Sequence, residues 1–307
     1  MLICDTHADT LWALQNKHRP AERPTDITLE YLTATGDTRV QAMALFVGSN
    51  GLAGEDADLI QRELKELSKL KEQGFRQITR IEEALPGAGN ILLTIEGGEA
   101  FGDDASSVSE YAALGVRAAA LVWNNENKLA HPAKGGSREG LTPFGRQVVQ
   151  QMRCHRMAVD ISHLNERGSD EVMDSDFPCM ASHSCARGLC DHFRNLSDRQ
   201  LRLLFSTGGY VGVNFFVPFL TATGKANLDT VIDHMAYMCD LGGEDFVGLG
   251  SDFDGIDEYP EGLHNVGDIP ALLDRMRQRG FSETLVRKIA GENFAAYLAR
   301  IDSAKPL

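Results

Sequence analysis

The chain has 307 residues, of which 43% are hydrophobic and 24% are charged, an ordinary balance for a globular protein. Its 44 acidic residues outnumber its 30 Lys and Arg residues, so the formal net charge is −14. Because no excess of basic residues is available to neutralise phosphates, we expect no nucleic-acid partner.

Targeting signals are not evident in the sequence. The N-terminus turns polar after four residues, a run too short for the core of a signal peptide. No segment approaches the ~20 consecutive apolar residues that a membrane-spanning helix needs. The six cysteines form no CxxC pair. These features predict reduced thiols, no membrane partner and a cytoplasmic protein.

Short β-rich runs alternate with helical segments along the whole chain. Eight strands are predicted, at residues 2–7, 40–47, 90–95, 116–123, 158–162, 179–182, 210–216 and 246–250. Apolar residues at three- and four-residue spacing predict helices at residues 58–73, 143–156, 228–241 and 282–290. A further helix is expected to begin after Ser197, a typical capping residue.

This alternation predicts parallel βαβ units and an α/β fold class. Eight units in about 300 residues match one (β/α)8 TIM barrel, so we expect a single domain over residues 1–307. A doubly wound open sheet is the alternative. No GxGxxG motif follows the first strand, which disfavours a nucleotide-binding version of that sheet.

Side chains that can bind metals or carry protons follow several predicted strands at their C-terminal ends. They are His7, Asp9, Glu96, His163, His183 and Asp252. In a barrel these ends converge on one mouth, where we expect a metal site. The three histidines and two of the three acids already exceed the needs of one tetrahedral ion. They suit two divalent ions that share a carboxylate, for which Glu96 is the natural candidate.

The spacing of His7 and Asp9 adds a geometric argument. Side chains two residues apart on an extended strand point to the same side, so both could reach one ion. Each residue also has a purely structural interpretation, as a turn, a cap or a hydrogen-bonded polar group, but all of these would have to hold at once. A nucleophilic enzyme is less well supported, because no GxSxG motif is present. Cys185 near His183 is the remaining candidate for a nucleophile.

The ordered set of motifs resembles the membrane (renal-type) dipeptidase family, zinc peptidases among the amidohydrolase-like barrels. The matching segments are residues 5–10 (DTHADT), 95–98 (IEGG), 141–145 (LTPFG), 159–163 (VDISH), 181–184 (ASHS), 194–196 (RNL), 250–255 (GSDFDG) and 291–294 (GENF). Single segments are weak signals, but the ordered set covers most of the chain. The resemblance also implies a homodimer.

By position, the resemblance implies two Zn²⁺ ions, with other divalent metals as alternatives. One ion would be held by His7 and Asp9, the other by His163 and His183, and Glu96 would bridge them. A hydroxide between the metals would attack the amide bond of a small dipeptide, including L-Xaa-D-Xaa. Asp252 would handle protons and meet the substrate's amine, and Arg194 would bind its carboxylate.

One position departs from the family pattern. Where mammalian-type members carry a histidine at the end of the fourth strand, this chain has Trp123. Trp123 and Asn124 are therefore expected to line the substrate site, and Asn124, Asn127 or His131 is expected to supply the missing hydrogen-bond donor. Two alternatives stay open: a hydrolase of N-acyl amino acids, lactones or related amides on the same scaffold, and a catalytically silent metal-binding protein.

Overall fold

The computed structural model of the chain describes residues 1–15, 25–48, 55–175 and 177–304. The strands of these residues are β1 (Leu2–Asp5), β2 (Thr38–Phe46), β3 (Phe75–Ile78), β4 (Gly89–Glu96), β5 (Val116–Ala120), β6 (Ala158–Asp160), β7 (Met180–Ala181), β8 (Tyr210–Val213) and β9 (Val247–Leu249). All pair in parallel, and β2 also pairs with β4, which closes eight strands into a ring. The (β/α)8 barrel is confirmed, and the open sheet is wrong.

Strand β3 is an addition that the hydrophobic pattern did not predict. It pairs with the first half of β4, from Phe75 opposite Gly89 to Ile78 opposite Leu92. The second half of β4 pairs instead with β5. The four-residue strand therefore lies beside the closed ring, and it is too short to show an alternating pattern in the sequence.

Helices surround the barrel, and the last of them closes its N-terminal end. They are α1 (Thr10–Ala13), α2 (Leu29–Thr33), α3 (Glu55–Glu72), α4 (Ser107–Ala113), α5 (Pro143–Cys154), α6 (Glu166–Met173), α7 (Asp198–Ser206), α8 (Val217–Leu220), α9 (Leu228–Met238), α10 (Ile269–Gln278), α11 (Glu283–Arg287) and α12 (Asn293–Ser303). The predicted helices are present with shifted ends. Two of them, α9 and α11, end early because a π-helical turn follows each, at Cys239–Gly243 and Lys288–Glu292. No helix of the described ranges has the length and apolarity that crossing a bilayer requires.

The interior of the barrel changes from apolar to polar along its axis. On β4, Leu92 is followed on the same face by Thr94 and Glu96, because side chains alternate with a period of two. The apolar interior residues pack against α12, and this cluster includes Cys4, Val40, Leu92, Ala118, Ala158, Met180 and Tyr210 with Phe294, Tyr297 and Ile301. Helix α12 thus fills the N-terminal end of the barrel and leaves polar side chains at the C-terminal mouth.

Helix α7 provides a test of local stability. As predicted, Ser197 caps it: its hydroxyl accepts from the backbone N–H of Gln200, whose side chain accepts from the N–H of Ser197. We expect Ser197→Ala to lower the free energy of unfolding by about 1 kcal/mol, measured by urea denaturation. Ser206→Ala, at the other end of the same helix, is the matched control with little effect. Equal losses in the two variants would contradict the capping role.

Candidate active site

The six residues predicted for metal binding and proton transfer meet at the mouth of the barrel. His7 Nε2 lies 3.7 Å from Asp9 Oδ1 and 3.7 Å from Asp252 Oδ1. The ligand atoms of these three residues all lie within 4.8 Å of one another, as do those of His7, Glu96 and His183. Residues separated by more than 240 positions therefore form one cluster, as the convergence of strand ends predicts.

Glu96 stands at the centre of this cluster. Its Oε2 lies 3.7 Å from His7 Nε2, while its Oε1 lies 2.8 Å from His163 Nε2 and 3.5 Å from His183 Nε2. The two carboxylate oxygens therefore face two different groups of nitrogen and oxygen ligands. This is the geometry that a carboxylate shared by two ions requires.

The proposed strand geometry of His7 and Asp9 is wrong in detail. Strand β1 ends at Asp5, and Asp9 precedes α1 with φ −99° and ψ 30°. The two side chains converge because the chain turns here, where the backbone N–H of Asp9 donates to the carbonyl oxygen of Phe253 at 2.9 Å.

Hydrogen bonds fix the orientation of two imidazoles. The Ser182 hydroxyl donates its proton to Asp160, so its oxygen accepts from His183 Nδ1–H at 2.8 Å. Asn124 Oδ1 lies 3.2 Å from His163 Nδ1 and accepts from it in the same way. In both rings the proton is then on Nδ1, which leaves a lone pair on Nε2.

Those two lone pairs face each other. His163 Nε2 and His183 Nε2 are 3.0 Å apart, a repulsive arrangement unless a cation lies between them. Two nitrogens that bind one tetrahedral zinc at about 2.0–2.1 Å would be roughly 3.3 Å apart. His7 Nε2 and Asp9 Oδ1 are also buried without a hydrogen-bond partner in the described part of the chain. The residues therefore fit divalent metal ions.

The protonation states agree with this assignment. Burial, reinforced by the charge of Arg194, lowers the pKa of His163 to about 4, and burial lowers that of His183 well below its usual value. Burial would raise the pKa of Glu96, but the charges of His7 and His163 outweigh it and hold that pKa well below the usual range. His7 differs: burial would lower its pKa, but the neighbouring Glu96 and Asp9 outweigh burial and raise that pKa well above its usual value, so His7 has to lose a proton when a metal binds. Neutral imidazoles and an ionised carboxylate are the forms that bind metals.

A second hydrogen-bond network holds the other side of the mouth. Asp5 accepts from the backbone N–H of Ser251 at 2.8 Å and from its hydroxyl at 2.5 Å. This joins the end of β1 to the end of β9, and the backbone N–H of Asp252 donates to the carbonyl oxygen of His7 at 3.2 Å. The relative position of His7 and Asp252 is therefore fixed by the backbone.

The backbone is strained where it carries the site. His163, Asp252 and Asp254 have φ values of 67°, 65° and 67°, a region that residues other than glycine seldom occupy. At Gly255, an added Cβ would lie 2.2 Å from Asp9 Oδ2 and 2.6 Å from Asp252 Oδ1. The absence of a side chain at Gly255 thus leaves room for the carboxylates.

Asp252 has the environment of an acid–base group. Burial, together with the charges of Asp9 and Glu96, raises its pKa to about 7. Asn214 Nδ2 donates to its Oδ2 at 2.9 Å, so Oδ1 is the oxygen that faces His7. A carboxyl group that titrates near neutral pH suits proton transfer in both directions.

Arg194 is a buried cation that no carboxylate of the described ranges meets at ion-pair distance, although the charges of Asp252 and Glu96 act on it from farther away. Its side chain is 5% exposed, and Nε and Nη2 lack hydrogen-bond partners within the described ranges. The guanidinium lies over the ring of Phe219, 5.4 Å from its centre. Asn195 ties this wall together, because its Nδ2 donates to the carbonyl oxygens of Cys190 and Phe219 at 2.8 and 2.7 Å. A buried, unpaired guanidinium is suited to a carboxylate ligand.

One open cavity joins these groups. It is lined by Asp9, Glu96, Trp123, Asn124, His163, Arg194, Phe216, Phe219, Asp252, Gly255, Ile256 and Asp257. Trp123 and Asn124 thus lie where the sequence places them. Asn127 and His131 do not line it: Asn127 bonds to the backbone of its own loop, and His131 lies 3.3 Å from Glu126 and 3.5 Å from Glu139.

Several residues of the site escaped prediction. Asp160 and Ser182 lie within the quoted motifs, but their link crosses between strands, so only the barrel reveals it. Four further lining residues lie outside the quoted motifs: Phe216, Phe219 on the short helix α8, and Ile256 and Asp257 just after residues 250–255. Cys185 is excluded as a nucleophile, because burial raises its thiol pKa and Sγ lies 3.2 Å from the carbonyl oxygen of Asn214.

Comparison with known proteins identifies the family. The model of the membrane dipeptidase family, peptidase family M19, matches residues 1–305. The chain belongs to this family. The resemblance inferred from the motifs is thereby confirmed.

Individual relatives and solved structures are consistent with membership of this family. An uncharacterized dipeptidase of Schizosaccharomyces pombe is 38% identical over 66% of this chain and 51% of its own length. A metallopeptidase from Rhodobacter sphaeroides, solved with a phosphinate mimic of L-Ala-D-Ala, is 27% identical with a TM-score of 0.87, covering 98% of this chain and 99% of that one. A second solved dipeptidase, a family M19 metallopeptidase, is 28% identical with a TM-score of 0.88 and 99% coverage of both chains. The chain spans about half the length of the named dipeptidases among its curated relatives.

The raised pKa of Asp252 has a measurable consequence for the metal-free protein. Folding raises the pKa of Asp252 from 3.8 to about 7. Such an acid contributes its full stabilisation of the folded state below pH 3.8, and this contribution is lost as the pH rises through 7. Asn imitates the neutral acid. With chelator present, Asp252→Asn should therefore raise the free energy of unfolding more at pH 8 than at pH 4. Urea titration measures both values, and Asp257→Asn, on the same loop, is the exposed control. A gain independent of pH would contradict this account.

Proposed function

We propose that this chain is a metal-dependent dipeptidase that hydrolyses the amide bond of small dipeptides. One observation carries the proposal: a buried, unpaired guanidinium and a buried metal-competent cluster open into the same small cavity. The guanidinium suits a terminal carboxylate, and the metal-competent cluster suits hydrolysis of an amide. Family membership supports the same activity.

Two charged groups would orient the substrate. Arg194 would bind the C-terminal carboxylate by paired N–H donors, stacked on Phe219. The free amine would lie at Asp252, whose Oδ1 faces the cluster. The scissile carbonyl then falls between these anchors, above Glu96. Anchoring at both ends favours a dipeptide over a longer chain, because each end must carry its own charge.

The metal ligands in this proposal are His7, Asp9, Glu96, His163 and His183, holding two zinc ions. Bound divalent cations would lower the pKa of a water molecule and polarise the scissile carbonyl. Asp252 takes the proton released by the attacking water and gives it to the leaving amine. Asp252→Asn should thus keep the metal and lower kcat by roughly 10²–10⁴-fold; unchanged kcat would remove this role.

A further donor is needed at the carbonyl oxygen, since Trp123 replaces the expected histidine. Asn124 lines the cavity, and its amide nitrogen has no hydrogen-bond partner among the described residues. We propose that Asn124 Nδ2 or the indole N–H of Trp123 donates to this oxygen as charge develops. Both are neutral, so the contribution is smaller than that of an imidazolium.

The substrate's stereochemistry also belongs to the proposal. The phosphinate in the Rhodobacter sphaeroides neighbour imitates L-Ala-D-Ala, which supports L-Xaa-D-Xaa dipeptides as substrates here. Trp123 keeps a second candidate open, a hydrolase of N-acyl amino acids, lactones or related amides on the same scaffold. We further propose one domain over residues 1–307 and a cytoplasmic location. We also propose a homodimer, and light scattering of the purified protein would test this oligomeric state.

The direct experiment is hydrolysis of L-Xaa-L-Xaa and L-Xaa-D-Xaa dipeptides by the zinc-loaded protein. N-acetylated and C-amidated forms of the same dipeptides are the controls. We expect cleavage that requires both free ends and stops with chelator. Cleavage of blocked amides or lactones alone would favour the second candidate. Metal binding without any turnover would favour a silent metal-binding protein.

Arg194→Met isolates the carboxylate anchor. We expect it to lower kcat/KM for free dipeptides roughly 10- to 150-fold, the range of a lost charge-assisted hydrogen bond. The same variant should change the slow cleavage of the C-amidated dipeptide much less, because that substrate has no carboxylate to lose. Equal losses on both substrates would show that Arg194 supports the fold and does not bind the substrate.

A further inference from the structure

One acidic residue of the cavity has no assigned partner. Asp257 lines the cavity and is exposed to solvent. It forms neither a hydrogen bond nor an ion pair with any residue of the described ranges. The other acids of the lining are occupied: Asp9 and Glu96 lie beside imidazoles, and Asp252 accepts from Asn214. Asp257 is therefore an exposed acidic residue at the edge of the cavity that no cation of the described ranges neutralises.

The position of Asp257 indicates which end of a substrate it would meet. It follows Asp252 on the same loop, and Gly255 between them packs against the carboxylates of Asp9 and Asp252. Arg194 belongs to a different wall, where it stacks on Phe219. In the proposed substrate orientation, the residue that carries the free amine lies at Asp252. In that orientation, the side chain of this residue would lie on the side of the cavity that Asp257 lines.

The charge balance indicates the chemistry of that side chain. Arg194 is the one Lys or Arg among the residues seen to line the cavity, and the substrate carboxylate would use it. A cationic side chain at the amino end would neutralise Asp257. Its methylene groups could lie along the neighbouring Ile256, as long basic side chains do on apolar surfaces.

We propose that Asp257 is a specificity residue and that the enzyme prefers dipeptides with Lys or Arg as the N-terminal residue. This inference rests on the proposed dipeptidase function. Because Asp257 is exposed, its attraction is that of a solvent-screened ion pair, so the expected preference is modest and falls with salt.

Three dipeptides with the same C-terminal residue test the inference: Lys-Ala, norleucine-Ala and Glu-Ala. At low ionic strength, kcat/KM for Lys-Ala should exceed that for norleucine-Ala roughly three- to fivefold, and Glu-Ala should be the poorest. In Asp257→Asn the ratio of Lys-Ala to norleucine-Ala should approach one. Glu258→Gln is the matched control, because it removes the same charge from the next position, which does not line the cavity. It should keep the wild-type ratio.

The outcomes separate this inference from the proposed function. If all three dipeptides are cleaved with equal kcat/KM, or if Glu258→Gln abolishes the preference as fully as Asp257→Asn does, the role of Asp257 is wrong and the dipeptidase remains. If none is cleaved, the proposed function fails and this inference fails with it. A preference that disappears in Asp257→Asn alone, and that weakens in 1 M salt, supports it.

Discussion

The mouth of the barrel holds a cluster of ionisable side chains that are buried from water. This burial determines which protonation states and which supporting hydrogen bonds the site requires. Glu96 and His7 are each 2% exposed, and His183 is fully buried. Burying charge or opposed lone pairs is unfavourable unless the groups neutralise one another or bind cations. Two imidazole nitrogens approach to 3.0 Å with their protons directed elsewhere, an arrangement that a bound cation would stabilise. The fold therefore has to hold its ligands in place against their own repulsion.

The barrel does so with pairs of strand ends. An aspartate on one strand accepts from a serine beyond the next, at Asp160 with Ser182 and at Asp5 with Ser251. Each pair fixes two loops that carry ligands. The wall that holds Arg194 is built differently, through Asn195 and its bonds to neighbouring loops. The metal-competent cluster thus belongs to the strands, whereas the substrate-facing wall belongs to the loops, which is where specificity varies in such barrels.

Much of the fold and of the metal-competent cluster could be predicted from the sequence. Parallel strands that are buried on both faces appear as short, nearly continuous apolar runs. Their convergence makes a polar residue at each strand end informative, which is why Glu96, His163 and His183 could be found. The local path at His7 and Asp9 could not be predicted, because the strand stops at Asp5 and the turn that follows has no simple pattern. Strand β3 was missed because it is short and pairs with only half of a neighbour. The role of Arg194 was predicted from family resemblance alone. Asp257 could be identified only from the structure, because it belongs to no motif and is recognised by its place in the cavity lining.

The central claim is that this cluster holds two divalent ions, and counting metal in the protein tests it most directly. Purified wild-type protein, incubated with zinc and dialysed, would be analysed by inductively coupled plasma mass spectrometry beside Glu96→Gln. The account predicts two zinc ions per chain in the wild type and a lower content in the variant, because the shared carboxylate is weakened. A wild-type protein that retains no zinc, or a variant with unchanged content, would contradict it.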